Sequence, residues 1–240
     1  MRKDTDMYSM SRRVTYSEVG PDYKTDMAQI INYFQDCSCF QSDSLGVGPE
    51  ALDENGRVWV LNSWQIVAER YPVYGEPVTV GTWPYGFKGL LGLRNFVIDD
   101  GEGRRIVRAN SVWAMIDMKT GRPVRPDERD TGVYTIEDKE PMTYAGRKIP
   151  VSGDFETLET VKVTRHCLDT NHHMNNGRYV EIAMEYLPEK FKVHQIRVEY
   201  KHPAFYKDIL VPKRQIADGR VTILLENSEG QVCVAAEFAE

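Results

Sequence analysis

At 240 residues, 41% of them hydrophobic, the chain is long enough for one large domain or two ordinary ones and apolar enough for a packed core. Its formal net charge of −6 argues against a general nucleic-acid binder, which needs a basic surface to meet phosphates. Apolar runs such as Val112 to Ile116 fall far short of the roughly 20 residues of a membrane-spanning helix, and Met1 to Asp6 leads into no apolar block of a secretory signal, so the expectation is a cytoplasmic protein without a membrane span.

In chain order, the patterning predicts a strand near Arg12 to Ser17 and a helix from Asp26 to Phe40. Cys37 and Cys39 fall in that helix. With Cys167 and Cys233 they are too sparse for a disulfide framework and read as reduced, buried thiols. Four long strand-like segments follow, Arg57 to Arg70, Pro77 to Phe87, Leu90 to Asp99 and Arg104 to Asp117, with turn signals at Tyr85-Gly86 and Asp99 to Gly103. They hold Trp59, Trp64, Trp83 and Trp113, which read mostly as core. Arg104, Arg105 and Arg108 gather in the last of them, and Lys162 and Arg165 gather further on. Such local clusters would let an acidic partner dock on an acidic protein, although an ordinary solvated surface also accounts for them.

After a charged linker at 131–154 containing Pro and Gly, the order repeats. Thr157 to Thr164 alternates as a strand, a helix follows, and then come Gln195 to Tyr200, Ile209 to Ile216, Arg220 to Leu225 and Gln231 to Phe238. Asp22 precedes Met27 by the interval at which Asp169 precedes Met174, and Tyr71 to Tyr74 lines up with His202 to Phe205. These matches follow the strand order, so the chain reads as a tandem repeat, 1–130 and 155–240. Each half is a helix against a bent antiparallel sheet, an α+β architecture.

The second helix is preceded by Asp169-Thr170-Asn171-His172-His173-Met174-Asn175-Asn176-Gly177-Arg178-Tyr179. Tyr179, Ile182, Ala183, Tyr186 and Leu187 recur at the spacing of one helical face, and Pro188 supplies a stop. The polar cluster therefore sits at a helix start, where unpaired N–H groups and a partial positive charge favour an oxyanion. Imidazole is the common general base near neutral pH, which points to His173, while Asn171 carries an amide that donates to an oxyanion or accepts from water. Asp169 would orient the imidazole or contact the water. The bland alternative is that Asp169 and Asn171 are helix caps. His172 reads as a surface residue, and the spacing of His166, Cys167, His172 and His173 lacks a recognisable metal pattern.

The run Asp169-x-Asn171-x-His173 followed by Met174-Asn175-Asn176-x-x-Tyr179 resembles the active-site signature of the acyl-acyl-carrier-protein thioesterases of plants and bacteria. Gly56 to Leu61, Arg70-Tyr71-Pro72, Gly75-Glu76, Thr82-Trp83, Arg94-Asn95-Phe96 and Ser111 to Asp117 resemble the first half of the same family. The resemblance implies a tandem (double) hotdog fold. Its N-terminal domain at 1–130 would shape the acyl pocket, and its C-terminal domain at 155–240 would hold catalytic Asp169, Asn171 and His173. It further implies hydrolysis of fatty acyl-acyl carrier protein in fatty acid biosynthesis, without cofactor, with the acyl carrier protein as partner. Family members carry an acid and a cysteine where this chain has Pro203 and Ala204, which moves the base role towards His173 or Asp169. Hydrolysis of acyl-coenzyme A and noncatalytic binding of acyl thioesters are the alternatives, and further pairing as a homodimer is left open.

Overall fold

A computed structural model describes residues 7–240; Met1 to Asp6, which bear the reading on a secretory signal, lie outside the described residues. The chain divides into two compact units, one of Ser63–Val67 with residues 145–240 and the other of the remainder up to Tyr144.

The first unit begins with β1 (Tyr8–Arg13) and a 3-10 turn at Tyr16–Glu18, so the early strand lies about four residues before the expected one. Then comes α1 (Met27–Ser44), capped by Asp26, whose carboxylate accepts the Gln29 N–H at 2.7 Å. Its buried residues Met27, Ile30, Ile31, Phe34, Cys37 and Gln41 recur at three and four, giving one apolar stripe. That stripe packs on the sheet, where the Phe34 ring lies 5.1 Å from that of Phe96. A short α2 (Pro49–Glu54), unannounced in the sequence pattern, turns the chain into β2 (Arg57–Ala68). Next are β3 (Pro77–Lys88), β4 (Leu91–Asp100), β5 (Arg105–Asp117), the two-residue β6 (Arg122–Pro123) and a one-turn α3 (Glu128–Thr131). The sheet order within this unit is β1-β3-β4-β5, antiparallel throughout, with β6 on β5.

The connecting stretch is tied down rather than free. The Trp83 Nε1–H donates to the Asp138 carbonyl at 2.9 Å, and the Glu140 N–H donates to Asn95 Oδ1 at 3.1 Å. Beyond it, the Ile149 N–H donates to Glu199 Oε2 at 3.0 Å, and Ile149 joins a core with Leu224 and Ala235.

In the second unit the strand expected over Thr157 to Thr164 is replaced by two pairs, β7 (Glu156–Thr157) and β8 (Val161–Lys162), each laid against β10. The Leu158 N–H still reaches the Pro212 carbonyl at 2.9 Å. Half of this run is exposed and only Val163 is buried, so it is an edge with little burial to hold a longer ladder. A 3-10 turn at Arg165–Cys167 leads to α4 (Asn176–Met184), nine residues long, which buries Gly177, Tyr179, Val180 and Ala183 against β11 and β12. Then β9 (Gln195–Tyr200), β10 (Ile209–Ala217), β11 (Arg220–Glu226) and β12 (Val232–Ala239) close the chain. The order is β9-β12-β11-β10, with Ser63–Val67 of β2 paired antiparallel to β9.

Trp64 and Trp83 are buried and Trp59 and Trp113 half-buried, so only two of the tryptophans are full core positions. All four thiols are unpaired; Cys37, Cys167 and Cys233 are buried and Cys39 is half-buried. Burial pushes the Cys37 thiol up to about 12, which keeps it protonated. The guanidinium of Arg94 is also buried here, donating to Gln41 Oε1 and, at 3.1 Å, to Thr82 Oγ1. Burial holds it below the ordinary arginine value.

Candidate active site

The expected site residues lie on one tight loop between the 3-10 turn at Arg165–Cys167 and α4. The loop closes on itself: the Asp169 N–H donates to the His173 carbonyl at 2.8 Å and the His172 N–H to the Asp169 carbonyl at 3.1 Å. Asp169 Oδ1 accepts two further backbone donors, the N–H of Asn171 at 2.8 Å and of His173 at 3.2 Å. This is the local turn that an aspartate favours, here extended by one more donor. Among the described residues its hydrogen bonds go to backbone and none to the imidazole, so Asp169 holds the His173 backbone rather than its ring.

His173 is half-buried, and Asn171 and His172 are exposed. An isolated bridge joins His173 to Phe205 on the turn between β9 and β10. The two rings meet edge to face at 5.0 Å and 88°, which fixes the imidazole plane. Met174, buried, donates its N–H to the Ala204 carbonyl at 2.9 Å, and the Ala204 N–H donates to the Tyr179 hydroxyl at 2.8 Å. Tyr200 in turn donates its hydroxyl to the Asn176 carbonyl at 3.0 Å. Pro203 is exposed and Ala204 fully buried.

Neither Asp169 nor Asn171 caps the helix. The N-cap is Asn175, whose Oδ1 accepts the Gly177 N–H at 2.9 Å. Of the N–H groups expected to stand unpaired at the helix start, two are taken: Met174 gives its N–H to Ala204 and Asn175 gives its own to the Cys167 carbonyl at 2.8 Å. Among the described residues the exposed Asn171 side-chain amide takes part in none of these loop hydrogen bonds. Sequence reasoning missed Phe205, which no local pattern near the motif could reveal, and Asn175 as cap, which the pair of asparagines before an apolar period does signal.

The basic cluster at Arg104, Arg105 and Arg108 is neutralised within the first unit. Arg105 pairs with Asp99 and Glu140, Arg108 with Glu140 and Glu69, and Arg104 with Asp100 and Glu102.

The same loop occurs in the first unit. There the Gly20 N–H donates to the Lys24 carbonyl at 2.9 Å, Lys24 bridges Val73, and the Thr25 N–H donates to the Pro72 carbonyl at 3.0 Å. Tyr23 and His172 share a φ of 61°, and Asp26 and Asn175 cap the two helices. The repeat is thus real in order, but both short sequence matches are out of register. Gly20, not Asp22, stands where Asp169 does, and Ala204, not Pro203, stands where Pro72 does. Gly20, Asp22 and Lys24 occupy the places of Asp169, Asn171 and His173.

Two units, each laying a capped helix on an antiparallel sheet and each entering that helix through the same loop, define a double hotdog protein. The chain belongs to the acyl-ACP thioesterase family: residues 5–129 match its N-terminal domain and residues 153–238 its C-terminal domain. It is 30% identical over 195 residues to the chloroplastic acyl-[acyl-carrier-protein] hydrolase FATB3 of Cuphea viscosissima, covering 75% of this chain and 47% of the relative. It is 28% identical over 204 residues to a chloroplastic palmitoyl-acyl carrier protein thioesterase of Arabidopsis thaliana, covering 77% and 49%. The chain thus spans about half the length of the curated relatives it matches. Its fold is that of an acyl-ACP thioesterase from Bacteroides thetaiotaomicron, with a TM-score of 0.89 at 21% identity over 97% of both chains. A 12:0-ACP thioesterase from Umbellularia californica gives 0.84 at 19% identity, over 97% of this chain and 96% of that one.

Proposed function

We propose that this chain hydrolyses the thioester of fatty acyl-acyl carrier protein, releasing free fatty acid and the carrier thiol. His173 takes a proton from a water as its oxygen attacks the carbonyl carbon. The Asn171 amide donates to the oxyanion that forms, an interaction typically worth about 3 kcal/mol in the transition state. Collapse of the tetrahedral intermediate breaks the carbon–sulfur bond, and the protonated imidazole returns its proton to the departing thiolate. Asp169 keeps the loop closed, so that imidazole and amide stay in attack geometry.

The observation that carries this reading is the loop itself. Its aspartate spends its hydrogen bonds on backbone to present one imidazole and one amide, whereas the loop of the same shape in the first unit holds Gly20, Asp22 and Lys24. Relatives named as hydrolases of acyl carrier protein esters support the carrier-borne ester over a coenzyme A ester. Fatty acid release from a panel of acyl-acyl carrier proteins and the matching coenzyme A esters, by wild type and His173→Ala, tests it. The expected result is carrier-preferring turnover that falls at least a hundredfold in the variant. Binding without turnover in either series would overturn it in favour of a noncatalytic acyl-thioester binder.

A further inference from the structure

Beside the His173 loop, an exposed tyrosine is flanked by two cations. The Arg165 guanidinium carbon lies 5.2 Å from the centre of the Tyr206 ring, and the Lys207 ammonium lies 5.3 Å from it. Lys162 stands one strand step away, in register with Ile209 across the β8–β10 pair. Lys162, Arg165 and Lys207 are exposed, and among the described residues none has a carboxylate within ion-pair distance. Asp208, the acid next in the chain, is turned inward, its Oδ2 accepting the Phe205 N–H at 2.8 Å. The patch is joined rigidly to the loop, because Phe205 both bridges His173 and begins the turn that carries Tyr206 and Lys207.

The repeat supplies an internal control. The Lys207 N–H donates to the Val163 carbonyl at 3.0 Å, as the Gly75 N–H does to Val14 at 2.9 Å, and φ is 76° at Lys207 and 80° at Gly75. Likewise Arg165 and Tyr16 each open a 3-10 turn after a threonine, and Tyr16 meets Tyr74 edge to face at 5.9 Å where Arg165 covers Tyr206. So one scaffold bears tyrosine and glycine in the first unit but arginine and lysine in the second. The lysine holds a left-handed backbone that favours glycine, which folding alone gives no reason to accept. Uncompensated positive charge beside the loop, on a chain of net charge −6, fits an acidic partner surface that approaches the molecule next to the site.

We infer that Lys162, Arg165, Tyr206 and Lys207 form the docking surface for an acidic carrier protein, holding it so that its acyl arm reaches the His173 loop. The inference rests on the proposed carrier-borne substrate. The test converts the patch to its counterpart in the first unit, Arg165→Tyr with Lys207→Gly, substitutions that this backbone already accommodates. Affinity for fluorescently labelled acyl carrier protein is read by anisotropy at low and high salt, and turnover is measured on carrier, coenzyme A and N-acetylcysteamine thioesters of one acyl chain.

The variant is expected to bind carrier roughly tenfold more weakly at low salt, with the difference closing as salt rises, and to turn over the N-acetylcysteamine ester as wild type does. Unchanged carrier affinity would overturn the inference. So would an equal loss on the N-acetylcysteamine ester, which would place the effect in the site, or an equal loss on carrier and coenzyme A, which would assign the patch to the phosphate of the shared arm. Wild type that binds carrier through these residues but cleaves none of the esters would sink the hydrolytic reading and leave the docking surface standing.

Discussion

Asp169 is the residue whose role the geometry narrows furthest. Two backbone N–H groups converge on one of its oxygens, at 2.8 and 3.2 Å, so its work is to hold a loop closed. A positioning acceptor and a proton-taking base respond differently to the same substitution. Asp169→Asn keeps an oxygen that accepts both N–H groups, whereas Asp169→Ala keeps none. We expect kcat to fall about a hundredfold in the alanine variant, the scale of a displaced catalytic group, but less than tenfold in the asparagine variant. Were the two to fall alike, Asp169 would have to contact the reacting water. Rates on a small soluble thioester, measured beside wild type, separate the outcomes.

Among the elements, α4 matters most to the site because its start and the loop share a residue. Asn175 caps the helix with its side chain while its N–H closes the loop on Cys167. Asn175→Ala is expected to cost about 1 kcal/mol and to lower turnover, while Asn175→Ser, which still caps, restores most of both. Urea midpoints paired with rates test this, and an alanine variant with unchanged stability would show that α4 needs no cap.

Most elements were legible because their patterns are long. The strands of 10 to 13 residues from Arg57 to Asp117 fall within a residue or two of their expected bounds, since alternation and flanking turns both mark them. Thr157 to Thr164 misled because its alternation is that of an edge, where little burial enforces a ladder. The motif pointed to the right loop but not to its internal wiring. Which oxygen takes which N–H depends on a left-handed residue at His172 and on a partner turn some thirty residues on, and neither leaves a mark on local spacing.

At the scale of the whole molecule, acid should unfold this protein through its carboxylates. Asp100 accepts the backbone N–H groups of Arg104 at 2.9 Å and Glu102 at 3.0 Å and pairs with Arg104 and Arg70, which together hold its carboxyl far below the ordinary 3.8. Burial pushes Glu76 up, but Arg70 and the Val73 N–H outweigh it and leave it below 4.5. Glu18, Asp117 and Asp127 are lowered as well, while burial raises Asp36. A carboxyl with a depressed folded value stabilises the protein fully above its unfolded value, and that stability is lost as pH falls through the folded one. Asp36 acts in the opposite sense, since protonation relieves its burial, but among the described residues it stands alone against five. Stability should therefore hold from pH 7 to about 5 and decline steadily below about 4.5, where unfolded carboxylates begin to take up protons that folded ones refuse. Urea midpoints at pH 7, 5, 4 and 3 measure this slope, and Asp100→Asn should flatten it while lowering the plateau at neutral pH. A midpoint that rises on acidification would mean that relief of the net charge of −6 outweighs the lost pairs, and that the paired carboxylates are not what holds the fold in acid.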